Sequence, residues 1–233
     1  MITFTSLASG STGNCYILKK NDGRILILEL GIRWPHIQLA LDFKASLVDM
    51  ACVTHLHSDH SASVKNALKA GIECGMNQET ADALGVADHH RVNILKAEEL
   101  RQLAGWTILP FDLAHDVPTL GFFVSDGDDK LLFIPDTGFV HNRFTGITQI
   151  AIEANHVESI LSQNIISGAV PAVIGHRIRR HHMSLEQVIA MLKSNDLSRC
   201  RAIYLLHLSD ANSDERRMKL EVQQATGIPT IIC

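Results

Sequence analysis

Short apolar runs, each closed by small or polar residues, follow one another along most of the chain and predict a strand-rich fold. The turns between them are rich in glycine, asparagine and aspartate, as at Asn21-Asp22-Gly23 and Gly127-Asp128-Asp129. Strands are predicted at 2–8, 15–18, 25–30, 48–53, 105–112, 119–125, 130–135, 147–153, 202–206 and 229–232.

Helical patterns appear between these strands and become more regular in the last third of the chain. Ser184 and Ser213 are typical N-cap residues and support two of the helix starts. Helices are predicted at 34–41, 63–70, 78–84, 184–194 and 213–225. No repeat or linker interrupts this order, so residues 1–233 are predicted to form one α/β domain. Two facing sheets with helices outside would fit its two halves, each with strands first and helices later.

Composition narrows the class of protein. Hydrophobic residues make up 46% of the chain, which indicates a globular protein. The formal net charge is −4, so nucleic acid could be held only through a local basic patch. Five cysteines form no C-x-x-C pair, the start is unlike a signal peptide and no apolar run is of membrane-spanning length. These features favour a reducing, cytoplasmic location without a membrane span.

The segment Thr54 to His60 carries the most informative chemistry, because it places three imidazoles and a carboxylate in the pattern His-x-His-x-Asp-His. It follows directly on the predicted strand 48–53. Imidazole and carboxylate ligands together suit zinc, manganese or iron. Four donors this close in sequence cannot all surround one ion without strain, so the spacing favours two ions side by side.

Three further strand ends carry residues of the same chemistry. His115, Asp136 and His207 each come just after a predicted strand. If these ends converge on the first loop, five imidazoles and two carboxylates can hold two ions, with one carboxylate between them. The remaining singled-out histidines are interpreted as surface or loop residues: His36, His89, His90, His141 and His181.

This order of ligands resembles the metallo-β-lactamase superfamily, which implies a four-layer αββα sandwich with the site at one edge of the sheets. The resemblance implies an ion held by His55, His57 and His115. It implies a second ion held by Asp59, His60 and His207, with Asp136 bridging. A water or hydroxide between the ions would be the nucleophile.

Further segments resemble the YycJ/WalJ-type branch of that superfamily: Ser6 to Tyr16, Glu153 to His156, His182 to Ser184 and Leu206 to Ser209. The branch implies nuclease activity on DNA, of exonuclease type, with Zn²⁺ or Mn²⁺. The implied catalytic residues are Asp59 and His182. His182 lies in the local basic run Arg179-Arg180-His181-His182 and could protonate a leaving alkoxide.

Other residues are candidates for supporting roles. Glu29 stands where the family usually has aspartate and would orient a histidine, and Asn14 would hold a loop near the metals. Candidates for substrate contacts are Asn155, His156, Arg179, Arg180 and Ser184. A structural role for the first two, and a solvated face for the arginines, stay open.

Two other functions fit the same residues. The ions could hydrolyse a small cyclic phosphodiester, a thioester or a lactone, because specificity is decided by the walls of the site. A binding module that keeps its metals for structure is the third hypothesis, although complete ligand sets argue against it. Zinc and manganese, exonuclease and endonuclease action, and the oligomeric state are left open by the sequence.

Overall fold

The computed structural model describes all residues, 1–233, and these divide into two compact units. Unit 1 comprises Met1–Asp112 and Val117–Asp129, and unit 2 comprises Leu113–Asp116 and Lys130–Cys233. A single domain over the whole chain therefore stays a prediction. None of the helices combines the length and the apolar character that crossing a bilayer would require.

Unit 1 is built on a six-stranded sheet whose strands lie in chain order. The strands are β1 Thr3–Ala8, β2 Cys15–Lys19, β3 Ile25–Leu28, β4 Val48–Cys52, β5 Glu73–Met76 and β6 Val92–Ile94. The first three pair antiparallel, whereas β3 to β6 pair parallel. Three further strands follow: β7 Arg101–Leu103, β8 Trp106–Leu113 and β9 Thr119–Asp126.

Four α-helices belong to unit 1: α1 Trp34–Ala40, α2 Ser58–Ser61, α3 Val64–Lys69 and α4 Gln78–Ala83. A 3₁₀ turn at Ala45–Leu47 precedes β4. Ile27 of β3, Ile37 of α1 and Leu68 of α3 belong to one cluster of buried apolar side chains. Because β4 is almost wholly buried, its end fixes the following loop firmly in place.

Unit 2 contains a parallel sheet in the order β13-β12-β11-β10. Its strands are β10 Asp129–Ile134, β11 Gln149–Glu153, β12 Ala202–Leu206 and β13 Thr230–Ile232. Its helices are α5 Glu158–Ile166, α6 Ala172–His181, α7 Leu185–Lys193 and α8 Glu215–Thr226. Most residues of these strands are apolar and buried, as is typical of parallel sheets that are covered on both faces. Parallel strands end at the same edge, which gathers the residues that follow them.

Most predicted elements are confirmed to within two residues, but four short elements and the two longer helices α5 and α6 were missed. The unpredicted elements are α2, β5, β6, β7, α5 and α6. Strand β5 reads Glu73-Cys74-Gly75-Met76, which has weak strand propensity and is held by its parallel neighbours β4 and β6. The predicted cap at Ser213 is wrong, because Asp214 caps α8 by accepting a hydrogen bond from the Arg217 amide at 2.9 Å.

Gly31 provides a test of how tightly the segment before α1 packs on the histidine loop. A Cβ added there would lie 1.6 Å from the Asp59 carbonyl oxygen and 2.7 Å from the His60 nitrogen. We expect Gly31→Ala to lower the free energy of unfolding by about 3 kcal/mol, because backbone atoms must move apart. Urea unfolding measures this loss.

The matched control is Gly85→Ala, whose added Cβ meets no atom within 4 Å but whose φ is +64°. It should cost only the strain of left-handed backbone, about 1 kcal/mol. Equal losses for the two variants would contradict the close packing of Gly31 on the loop.

Candidate metal centre

Unit 1 gathers the first four predicted ligands in the loop after β4 and in the single turn of α2. His55 and His60 are buried, whereas His57 and Asp59 are partly exposed. The His55 Nε2 atom lies 3.0 Å from His57 Nδ1, and the rings of His55 and His60 are 4.1 Å apart between centroids. His60 Nε2 is 3.5 Å from Asp59 Oδ2. The loop therefore brings several metal-binding atoms to one place within the unit.

Glu29 fixes the orientation of two of these imidazoles. Its fully buried carboxylate accepts hydrogen bonds from the Thr54 hydroxyl at 2.5 Å and the Thr54 amide at 3.2 Å. The Thr54 oxygen is then an acceptor for His55 Nδ1 at 2.9 Å. This assignment leaves the lone pair of His55 on Nε2, the atom that faces His57. Glu29 Oε1 also lies 3.3 Å from His60 Nδ1, which likewise leaves the lone pair of His60 on Nε2.

Asn14 ties a small-residue loop to the same place. Its amide nitrogen donates to the Gly10 carbonyl at 3.0 Å and the Asp59 carbonyl at 3.3 Å, and lies 3.1 Å from His60 Nε2. Its oxygen accepts from the Gly10 amide at 2.9 Å and the Tyr16 hydroxyl at 3.0 Å. Asn14 is thus positioned to hold the loop that the sequence predicted it would hold.

Unit 2 gathers a second set of metal-type side chains at the end of its parallel sheet. Asp136 follows β10, Glu153 ends β11 and His207 follows β12. His182 joins them from the end of α6, where it is the C-cap. One ligand atom of each of these four residues lies within 4.8 Å of the others, which is the spacing of atoms around a common ion.

Glu153 is the centre of this group. Its carboxylate has no solvent exposure and contacts His182 Nδ1 through Oε1, with His207 Nδ1 at 3.4 Å from the same oxygen. Its other oxygen accepts from the Thr137 amide at 2.8 Å and the Met183 amide at 3.4 Å. Burial raises the pKa of Glu153, but the charge and hydrogen bond of His182 outweigh this effect and lower it below its usual value.

His182 experiences the opposite balance. Burial lowers its pKa, but the charge and hydrogen bond of Glu153, with a smaller contribution from Asp136, raise it to about 9. His182 Nδ1 lies 4.0 Å from Asp136 Oδ2, and the His182 and His207 rings are 5.5 Å apart between centroids. The predicted proton donor is therefore part of the ligand group itself.

His115 lies on the same unit and has a defined ring orientation. Its Nδ1 is 3.1 Å from the His181 carbonyl oxygen, so Nδ1 carries the proton and Nε2 the lone pair. Burial is the main cause that lowers the pKa of His115. Nε2 lies 3.1 Å from Asp116 Oδ1, and a neutral nitrogen beside a carboxylate is a favourable place for a cation.

Three of the predicted substrate-binding residues contact other residues of unit 2 through their side chains. Asn155 donates from its side chain to the His207 carbonyl at 3.1 Å, which holds the loop that carries this histidine. The Ser184 hydroxyl accepts from the Gln187 amide at 3.3 Å in a capping box of α7. His156 is buried, with Nε2 at 3.7 Å from Glu158. The side chains of Asn155 and Ser184 thus have hydrogen-bond partners within unit 2, and a role of these three residues in substrate binding stays a prediction.

The two arginines differ from each other. Arg179 makes two contacts through Nε with the Glu158 carboxylate, at 3.0 and 3.1 Å, and one through Nη2 at 2.5 Å. Glu158 therefore neutralises its charge. Arg180 is exposed in the last turn of α6. The basic run of the sequence thus offers less positive charge to a substrate than its composition indicates.

Sequence reasoning missed Glu153 as a member of the ligand group, although a signal was present. The residue ends a predicted strand, and the same criterion selected Asp136 and His207. The segment Glu153 to His156 was instead interpreted only as a motif of the YycJ/WalJ-type branch. The donor set of both units, imidazole nitrogens and carboxylate oxygens with fixed ring orientations, fits zinc or manganese.

Comparison with known proteins agrees with this chemistry. The family model described as "Metallo-beta-lactamase superfamily" matches residues 8–164. The chain is 30% identical over 227 residues to "Exodeoxyribonuclease WalJ" of Streptococcus pneumoniae, covering 90% of this chain and 82% of the relative. It is 27% identical over 237 residues to "Exodeoxyribonuclease YycJ" of Bacillus anthracis, covering 95% and 88%.

Solved structures support the fold. The metallo-β-lactamase fold protein YhfI of Bacillus subtilis matches with a TM-score of 0.75 at 13% identity, covering 100% of this chain and 97% of that one. This likeness establishes the predicted αββα class of fold. The chain belongs to the metallo-β-lactamase superfamily, in the branch of the WalJ and YycJ proteins, and is a metal-dependent hydrolase.

Proposed function

We propose that this protein cleaves phosphodiester bonds of DNA with two divalent ions, Zn²⁺ or Mn²⁺, as an exonuclease. The observation that carries the proposal is the cluster of four side chains in unit 2, Asp136, Glu153, His182 and His207, each with an atom within 4.8 Å of the others. Asp136 and His207 would be metal ligands in this cluster, and Glu153 and His182 would have the other roles given below. The relatives with 30% and 27% identity are both named exodeoxyribonucleases, which supports a nucleic acid substrate. Five free cysteines, three of them buried, support a cytoplasmic location.

The proposed ligand assignment follows the order of the sequence motifs. One ion would take His55, His57 and His115, the other Asp59, His60 and His207, and Asp136 would bridge. Support comes from the fixed ring orientations of His55 and His60 in unit 1 and from the strand-end position of Asp136 and His207 in unit 2. Asp59, with its partly exposed carboxylate, would also act in catalysis.

Each group would have a distinct chemical role. Divalent ions held by these residues would supply a nucleophile at neutral pH and neutralise charge on the phosphoryl oxygens. His182 would donate a proton from its ring to the leaving oxygen. Glu153 contacts Nδ1, so Nε2 would be the nitrogen that donates. Glu153 would position His182, since two backbone amides and two imidazoles hold its own carboxylate.

DNA degradation provides the first test. With MnCl₂, we expect the protein to shorten end-labelled single- or double-stranded DNA, and a chelator to stop the reaction. Asp59→Ala should lower the rate at least about 100-fold, because a ligand of the proposed centre is lost. Gel electrophoresis of the labelled products measures both effects.

Asp88→Ala is the matched control, since Asp88 is an exposed aspartate of the same unit. It should retain the wild-type rate. Intact DNA with the wild-type protein would refute the nuclease proposal, as would equal activity of Asp59→Ala. Faster hydrolysis of a thioester than of a bis-aryl phosphodiester would instead favour a small-ester hydrolase.

Metal binding tests the role of Glu29. Elemental analysis of protein purified without chelators should give about two ions per chain. Glu29→Gln should weaken metal affinity about 10- to 100-fold in a chelator competition. The amide keeps only one acceptor oxygen for three donors, which are His60 Nδ1 and the hydroxyl and amide of Thr54, the residue that orients His55.

Glu73→Gln is the control, because Glu73 accepts a hydrogen bond from Asn93 at 2.7 Å and contacts no predicted ligand. Thermal unfolding of the metal-free variants checks that both are folded. Unchanged affinity of a folded Glu29→Gln protein would contradict the orienting role.

Leaving-group chemistry tests His182. An alkoxide leaving group needs a proton, whereas 4-nitrophenolate leaves without one. We therefore expect His182→Ala to slow cleavage of a dinucleotide about 100-fold or more and to affect a 4-nitrophenyl phosphodiester much less. Steady-state kcat values for the two substrates make the comparison. An equal loss on both substrates would assign His182 to metal binding instead of proton transfer.

A further inference from the structure

A pocket of about 320 Å³ opens in unit 2, and its lining residues Met183 and Phe139 follow His182 and Asp136 closely in the chain. Segment 139–143, which follows Asp136-Thr137-Gly138, forms one part of its wall. Helix α7 and Met183 form the rest of it. The volume is sufficient for one planar heterocycle with part of a sugar. Neither the ligand assignment nor the proton donor uses this pocket.

The pocket is joined to the ligand group through short stretches of chain. Met183 follows His182 directly, and its amide donates to Glu153. On the other wall, the Thr137 amide donates to Glu153 at 2.8 Å, and the Phe139 amide donates to the Thr137 hydroxyl at 3.2 Å. Both walls are therefore anchored on the same buried carboxylate.

Gly138 brings the two wall-bearing segments together. A Cβ added there would lie 2.1 Å from the Arg180 carbonyl oxygen, so only glycine permits this approach. The Gln187 amide group of α7 also donates to the Gly138 carbonyl at 3.4 Å. The position of the pocket relative to Asp136 and His182 is fixed by these backbone contacts.

The wall has the chemistry of a base-stacking surface. The Phe139 side chain is 52% exposed, a large fraction for a phenyl ring, and it packs edge-on against His141 with centroids 4.7 Å apart. Met183 and Met191 add polarisable thioethers to the lining. Exposed aromatic rings beside a nuclease site are suited to stack on nucleobases of any sequence.

Charge at the rim favours a substrate with phosphates. Arg143 and His141 line the pocket and are exposed, and no carboxylate lines it. Two other surface pockets differ in this respect, because Glu79 and Asp112 line one and Asp82 and Asp88 line the other. In a chain of net charge −4, a pocket wall free of acids is a suitable location for a nucleotide.

We propose that this pocket receives the nucleobase of the nucleotide beside the cleaved phosphodiester, stacked on Phe139, with Arg143 near a neighbouring phosphate. The inference rests on the proposed phosphodiesterase function and adds a nucleobase-binding subsite to it. The pocket would hold one base without reading its identity, which suits an enzyme that removes nucleotides one after another.

Equilibrium binding tests the pocket without any turnover. The probe is 2-aminopurine deoxyribonucleoside 5′-monophosphate, whose fluorescence is quenched on stacking. We expect saturable quenching by the wild-type protein, affinity roughly tenfold weaker or worse for Phe139→Ala, and retention of affinity by Phe139→Tyr. Phe43→Ala, which removes another exposed phenylalanine, is the control and should bind like wild type. Equal binding by wild type and Phe139→Ala would overturn the proposal.

Kinetics then separate failure of the subsite from failure of the proposed function. Thymidine 5′-(4-nitrophenyl phosphate) carries a base, whereas methyl 4-nitrophenyl phosphate does not. We expect wild type to favour the nucleoside ester roughly tenfold or more in kcat/KM, and Phe139→Ala to lose that preference through KM while it hydrolyses the methyl ester normally. Hydrolysis of both esters at equal rates would refute the base subsite alone. Hydrolysis of neither ester, with quenching intact, would refute the phosphodiesterase instead.

Discussion

Two fully buried glutamates determine how this protein can present its histidines. A carboxylate removed from water is costly unless donors surround it. Glu29 in unit 1 meets this need with Thr54 and His60, and Glu153 in unit 2 meets it with His182, His207 and two backbone amides. In each unit, the hydrogen bonds that stabilise the buried carboxylate therefore also orient the imidazoles around it. The contacts that satisfy the two buried carboxylates are therefore the same contacts that set the orientation of the candidate metal-binding imidazoles.

Much of the fold was predictable because long apolar strands and capped helices carry strong local signals. The candidate ligands Asp136 and His207 were predictable for a related reason, since strands in a parallel sheet deliver their C-terminal residues to one edge. Strands β5 to β7 escaped prediction because they are short and rely on neighbouring strands. Helix α6 was not predicted: residues 177–182 were interpreted as a basic run, and Gly175 in the interior of the helix lowers its helix propensity.

The sequence also does not show which charged side chains are already paired within the protein. Arg179 is a candidate for binding phosphate in the sequence, but its charge is paired with Glu158 of the preceding helix α5. Glu153 was visible as a strand end, yet its role depends on which side chains the fold brings to it. Sequence spacing identifies the residues that follow strands, whereas ion pairs between two helices become visible only in the tertiary structure. The candidate ligands were therefore easier to predict than the surface that a substrate would meet.

The tie between ligands and strand ends has a consequence for how such proteins diversify. Asp136 and Glu153 are held at the ends of paired strands β10 and β11, and the chain between them, including Phe139 and Arg143, is a connection outside the sheet. Phe139 and Arg143 are exposed, so substitutions at these two positions need not disturb the pairing of the two strands. Substrate preference can therefore change among relatives while the candidate metal-binding residues at the strand ends stay the same. Two proteins with identical candidate metal-binding residues can then differ in what they degrade.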